Sequence, residues 1–205
     1  MSATENLDFE DDSFTQNAEL LQTKTATLEI SSINKSDLFN KDQCEEILNE
    51  CIEELWLPIK VVGDENFHKS LRQKLRGDLE GFPFNDIKLV TKTVNSEVYD
   101  FNLLGIIDQD YPQIFRYETG DHYNWHMDLN PSAPSRKISY IINLTSSDDY
   151  TGGELEFLNL DPGSNDLNSQ GSIIVFPSYM TYRIKPVLSG RKDVIIGHVH
   201  GAVFR

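Results

Sequence analysis

The sequence predicts an α+β domain, with helices first and then strands that close as a sandwich or barrel. Two observations carry this. Ahead of residue 100, two segments place apolar residues at helical spacing. After about residue 100 the texture changes to short β-rich runs separated by turn residues: IFRYE, KISYIINL, GELEFLNL, GSIIVFP, TYRIKPV and DVIIGHVHG.

Residues 1 to about 25 are acidic and polar and read as a mobile appendage, leaving 26–205 as a single domain. TATLEI at 25–30 alternates as a strand does. NKDQCEEILNECIEEL predicts a helix over about 40–55, buried through Cys44, Ile47, Leu48 and Cys51 and capped by Asn40 or Asp42. FNDIKLVTKTVNSEVY predicts a second over 84–99, buried through Ile87, Val90, Val94 and Val98, with Asn85 or Asp86 as its cap. The strand-rich part spans about 110–205, with turns at the glycine pair 152–153 and at PGSNDLNSQG, 162–171.

Charge and cysteine usage narrow the function classes. The chain has 205 residues and a net charge of −15. So acidic a chain repels phosphate backbones, and no nucleic-acid partner is expected. The one basic cluster, SLRQKLRG at 70–77, reads as the solvated face of a helix. No apolar run approaches the ~20 residues that span a bilayer, so no membrane partner is expected. The acidic start, MSATENLDFEDDSF, does not read as a signal peptide. Cys44 and Cys51, seven residues apart on one helix, would lie about 10 Å apart, too far for a disulfide. They read as buried thiols, and a cytoplasmic location is expected.

The chemistry centres on HYNWHMD, residues 122–128. Side chains two apart on a strand share a face, so His126 and Asp128 present an imidazole and a carboxylate side by side. Such a pair suits two sites on a divalent metal, and a two-His, one-carboxylate centre would need a third ligand from elsewhere. Taken alone, H-x-D fits a hydrogen-bonded pair equally well.

Its surroundings are more specific. RYETGDHYNWHMD, SDDYTGGELEF, GSIIVFPS and PVLSGRK follow one another in a single order. Together they resemble the prolyl-4-hydroxylase-like branch of the iron(II)/2-oxoglutarate dioxygenases. The resemblance covers residues 110 to 205 and reaches more loosely back to the helix at 84–99. It implies a double-stranded β-helix (jelly-roll) core flanked by N-terminal helices. It also implies iron(II), 2-oxoglutarate and dioxygen as cofactors, and hydroxylation of a peptidyl proline or another amino-acid side chain. His126 and Asp128 match the first two iron ligands. Tyr117 matches a tyrosine lining the cofactor pocket, and Tyr123 the aromatic ahead of H-x-D. Asn143, of inward parity with Ser139 and Ile141, matches a polar cofactor contact. Lys192 matches the cation that anchors the distal carboxylate of 2-oxoglutarate, with Arg191 as the neighbouring alternative. Compensating a dicarboxylate in a low-dielectric funnel requires such a cation.

The family's third iron ligand is a histidine ten residues before that cation. Here that position is Tyr182, with no gap in its flanks, PSYMT and RIKPV. Three readings follow. The phenolate binds the metal, in which case the site favours iron(III). Alternatively, a ligand comes from elsewhere: His198 and His200 share the parity of Lys192 but lie ~20 Å or more along the strand from it, which disfavours them. Otherwise two protein ligands remain and Tyr182 only lines the site. Functionally these correspond to a working hydroxylase with an altered site, a metal oxidase independent of 2-oxoglutarate, or a degenerate fold kept as a binding module. Of the remaining residues, Trp125 faces away from the ligands and reads as core, Arg183 as solvated or paired, His68 as a surface residue and Arg205 as a salt-bridge partner. Substrate choice is assigned to the loops 61–83 and 129–136.

Overall fold

The structure is a computed structural model that describes residues 33–59, 64, 66–77, 80–160 and 167–204. The appendage at 1–25, the strand at 25–30, Arg205 and part of the turn at 162–171 lie outside the described residues.

Two antiparallel sheets face one another. In the larger one, eight described strands run in the order Asn34–Asp37, Ser172–Pro177, Arg136–Asn143, Lys192–Gly201, Gln113–Tyr117, Leu71–Lys74 and Leu57–Pro58, with Leu103–Gly105 also pairing Lys192–Gly201. The smaller sheet has the order Leu155–Phe157, Tyr182–Ile184, His122–His126 and His68–Lys69. Val187–Gly190 and Tyr150–Gly152 form a short ribbon. This is the double-stranded β-helix that the sequence motifs imply.

The larger sheet is covered on both faces, which explains why its strands are apolar without alternation. Ile138, Tyr140 and Ile142 lie in one core with Cys44, Ile47, Phe84, Ile87 and Val94 of the two helices. Ile141, Ile174, Phe176, Val194 and Ile196 point the other way, into a second core with Leu155, Phe157, Tyr182 and Ile184 of the smaller sheet. The outer face of the smaller sheet is more open. Trp125 is accordingly 37% exposed and lies beneath the Arg183 guanidinium, 4.6 Å from its ring centre, and is not a core residue. Arg183 pairs with Glu156 at 2.6 Å, in keeping with its expected role.

The helices differ from expectation mainly at their ends. The first runs over Lys41–Asn49, and a short 3-10 turn follows at Glu53–Leu55. Asn40 is its cap: the side chain accepts from Gln43 N while Gln43 Oε1 accepts from Asn40 N. Cys51 is therefore off the helix and half-buried, while Cys44 is buried; both thiols are free. The second helix runs over Phe84–Val94 and widens into a π-turn at Asn95–Tyr99. Its cap position is Pro83, not Asn85 or Asp86, and carries no side-chain cap bond. SLRQKLRG is a correction too. Leu71–Lys74 is a strand of the larger sheet, paired with Gln113–Tyr117, and not a helix. The cluster's alternating basic residues already fit a strand with one face toward water.

Candidate metal centre at the mouth of the cleft

The strand His122–His126 pairs with Tyr182–Ile184, which places Tyr182 directly across from His126. Asp128 follows two residues beyond His126, just past the strand's end, and is 4% exposed. Asp128 Oδ1 lies 3.6 Å from His126 Nε2 and accepts a 3.4 Å hydrogen bond from the Tyr182 hydroxyl. The His126 and Tyr182 rings are 4.2 Å apart. The structure thus brings His126, Asp128 and Tyr182 together, as the register count requires.

Stacked rings hold this group in place. Tyr123 lies 3.5 Å from the His126 ring and 3.6 Å from the His68 ring, nearly parallel to both. His68 is buried, contrary to the surface role expected for it, and its Nε2 sits 3.2 Å from the Tyr117 hydroxyl and 3.0 Å from Ser70 Oγ. Burial, with His126 nearby, pushes the His68 imidazole down to about 3, so the ring is neutral and serves as a polar joint. Tyr117 is itself fully buried, and its hydroxyl is engaged by that joint.

The Asp128 side is built by the larger sheet. Ser139, of the inward parity, donates to Asp128 Oδ2 at 2.6 Å. His198 lies across from Ser139 on Lys192–Gly201, and its Nε2 comes within 3.5 Å of the same oxygen. The sequence argument against His198 measured its distance from Lys192. The relevant distance is to Asp128, which lies beside this end of the strand. Its Nδ1 contacts Asp110 at 3.1 Å, and Asp110 is held by a two-pronged Arg136 clamp at 2.6 and 2.8 Å and by His200 at 3.0 Å. Asp110 and Arg136 carry no motif in the sequence; only the H-x-H of the last strand, HVH at 198–200, hints at them.

The electrostatics follow from these contacts. Burial alone would raise the Asp128 carboxyl, but the His198 and His126 imidazoles outweigh it and hold it well below the usual carboxylate range. Burial, reinforced by the Asp128 charge, raises the Tyr182 phenol well above its ordinary value. Tyr182 is therefore a protonated donor here. Asp128, His198, Arg136, His68, Tyr123 and Ile196 line a cleft of about 410 Å³.

Lys192 and Asn143 belong to a different part of the interior. The Lys192 ammonium is buried and donates to Gly153 O and Asn168 Oδ1, each at 2.7 Å. Asn143 donates to the Asn168 carbonyl and to Thr145 O. Neither residue lines the cleft that contains Asp128. Arg191 is largely exposed and pairs with Asp193, whereas Lys192 is the buried one of the two. The glycine pair is the expected turn: Gly152 and Gly153 have φ of 75° and 67°, and a Cβ on Gly153 would meet the Lys192 stem at 3.2 Å.

The residues present fit a metal ion in one respect. His126 Nδ1 lies 2.7 Å from Asn124 O, and His198 Nδ1 is engaged by Asp110. Both Nε2 atoms are buried, face Asp128, and have no hydrogen-bond partner among the described residues. Among the described residues no three histidine, cysteine, aspartate or glutamate side chains form a group that could hold a metal ion.

Fold and site together are a double-stranded β-helix with a histidine–carboxylate pair, His126 and Asp128, whose carboxylate lines the cleft. Residues 112–200 match the family model described as the 2OG-Fe(II) oxygenase superfamily. A PKHD-type hydroxylase of Synechococcus sp. (strain CC9902) is 37% identical over 93 residues, covering 44% of this chain and 41% of that protein. A second, from Idiomarina loihiensis, is 33% identical over 91 residues, covering 44% and 42%. The chain thus spans about two fifths of these curated relatives. Among solved structures, a Pseudomonas putida prolyl-4-hydroxylase has a TM-score of 0.63 at 18% identity, covering 89% of this chain and 99% of that one. A Trichoplax adhaerens prolyl hydroxylase, solved with a peptide of hypoxia inducible factor, has a TM-score of 0.60 at 16% identity, covering 94% of each chain. At such identities these two show the fold. Residues 112–200 are thus similar to the 2OG-Fe(II) oxygenase superfamily, and the chain shares its fold with the two prolyl hydroxylases.

Proposed function

We propose that this protein is an iron(II)- and 2-oxoglutarate-dependent oxygenase that hydroxylates a peptidyl proline or another amino-acid side chain. The observation that carries the reading is the pair His126 and Asp128, with a buried, unpartnered imidazole nitrogen facing an ionised carboxylate that lines the cleft. Iron with 2-oxoglutarate and dioxygen would supply the oxidant for an unactivated C–H bond, with succinate and carbon dioxide as co-products. His126 and Asp128 would hold the metal, and the Tyr123 and His68 rings would keep His126 in register. Lys192 is the assigned anchor for the distal carboxylate of 2-oxoglutarate, which would take over from Gly153 O or Asn168 Oδ1 as an acceptor for the ammonium. Tyr117 and Asn143 would line the cosubstrate side.

An iron(III)–phenolate oxidase is the weaker reading. Ionising an ordinary tyrosine at pH 7 costs about 4 kcal/mol, and here both burial and Asp128 add to that cost. The two free thiols, pushed up to about 11 by burial, fit a reducing compartment, and the cytoplasm is the proposed location. Among the described residues no helix is long and apolar enough to cross a membrane.

Succinate release from 2-oxoglutarate, with iron(II) and ascorbate under air, tests this function. Wild type is expected to turn over slowly without substrate and His126→Ala not at all. Equal background rates for the two, or no iron-dependent succinate from wild type, would remove the assignment.

A further inference from the structure

We propose that the polypeptide substrate carries acidic residues beside its target residue, and that Arg72, Lys74 and Arg76 receive them in a groove that continues the cleft. This rests on the function proposed above and names the class of polypeptide that the site selects.

The first argument is continuity. A groove of about 690 Å³ adjoins the 410 Å³ cleft, and Arg72, Gln109, Tyr111 and Gln113 line both. Sheet register explains the join, because residues directly opposite on antiparallel strands share a face. Lys74 lies opposite Gln113, and Gln113 opposite Ile196, which lines the cleft. Arg72 lies opposite Phe115 on one side and Leu57 on the other. The face that holds the site therefore runs on, strand by strand, to the edge of the larger sheet. Asp128 touches Ser139 and His198, two and three strands from Leu71–Lys74. At ~4.8 Å per strand that is ~10–14 Å, or about three to four residues of an extended peptide.

The second argument is charge. The chain carries a net −15, yet this groove is lined by three cations and a single carboxylate, Asp108. Arg72, Lys74 and Arg76 are all exposed. Among the described residues the other arginines, Arg116, Arg136, Arg183 and Arg191, each pair with a carboxylate. Arg72 and Arg76 have no such partner there. Lys74 is held over the Tyr111 ring, 3.8 Å from its centre, which leaves its charge uncompensated by any anion. Leu55 and Leu57, 50% and 62% exposed, give the same groove apolar floor for the peptide's intervening side chains. Such a surface attracts an acidic segment and repels a basic one.

The probe is a fluorescein-labelled peptide with a central proline and glutamates about three to four residues to either side, the reach set by the strand spacing. Its counterparts carry glutamine or lysine at those positions. Anisotropy of the full chain without iron reads binding apart from chemistry. The glutamate peptide is expected to bind at least ~10-fold more tightly than the lysine peptide, with the difference shrinking as salt rises from ~50 to ~200 mM. Arg72→Glu and Arg76→Glu should each weaken it ~2–5-fold, and the triple reversal with Lys74→Glu at least ~10-fold. Lys41→Glu, an exposed reversal on the first helix, should leave it unchanged. Urea unfolding confirms that each variant is folded, and the two single reversals stand in should the triple fail. Equal affinity for the three peptides, or equal losses in Lys41→Glu and the groove variants, overturns the inference. If iron-dependent succinate release persists while the peptides bind alike, the proposed function stands and only the substrate class falls. If the glutamate peptide binds selectively but no succinate forms, the docking surface stands and the function falls.

Discussion

The two faces of the larger sheet are both buried yet differ in composition. Toward the helices, Arg136–Asn143 shows Ile138, Tyr140 and Ile142, and Lys192–Gly201 shows Ile195 and Val199. Toward the smaller sheet the same strands show Ser139, Ile141 and Asn143, then Lys192, Val194, Ile196 and His198. A buried polar group costs free energy unless it is partnered, and the one that Lys192–Gly201 buries on the helix side, Asp193, is paired with Arg116 at 3.0 Å. On the face where the site is built, the hydrogen bonds and ion pairs of Ser139, His198 and Lys192 run to Asp128, Asp110 and Asn168. One face serves the core and the other serves both core and site.

That contrast makes separable predictions. The largest effect on stability is expected on the helix side. Ile142→Ala should cost about 2–5 kcal/mol, read as a shift in urea midpoint, with the cobalt affinity of the folded protein unaltered. A matching loss of affinity would show that the two faces are not separable. On the cleft side, Ser139→Ala removes the 2.6 Å donor to Asp128 Oδ2. It should cost about 1–3 kcal/mol and also weaken metal binding by ~10–100-fold. A stability loss with intact affinity would make Ser139 ordinary core. The smallest effect is a slope. His68 titrates near 3 in the folded chain against an ordinary 6.5, so between those values the unfolded chain binds a proton that the native chain does not. Stability therefore falls as pH drops through that window, by up to ~1.4 kcal/mol per pH unit. His68→Gln should flatten the stability–pH curve by that amount between pH 6 and 4; an unchanged slope would mean that the ring is already charged in the fold.

Much of this was legible in the sequence. Apolar runs between turn residues gave the strands, and the spacing of His126, Asp128 and Lys192 gave a register that places Tyr182 across from His126. Other features depend on pairings that no local pattern encodes. His68 sits on a two-residue strand, too short to show any period, and is buried by Tyr123 and Tyr117 from distant segments. Trp125 was read correctly as facing away from the ligands, but whether that direction meets core or water depends on what covers the outer face of the smaller sheet. His198 lies far along its strand from Lys192, yet antiparallel pairing with Ser139 brings its Nε2 within 3.5 Å of Asp128, a contact that spacing along one strand does not encode.

The position of Lys192–Gly201 has one further consequence, for the order in which the molecule is assembled. This strand lies between Arg136–Asn143 and Gln113–Tyr117 and also pairs with Leu103–Gly105. A ribosome delivers it after all three. Until it emerges, the strands made earlier carry open hydrogen-bonding edges and the apolar faces of two unfinished cores, the kind of surface that recruits chaperones or other nascent chains. The same late segment carries His198, which lines the cleft. Closing the sheet and completing the polar wall of the cleft are therefore one event in the life of each newly made chain.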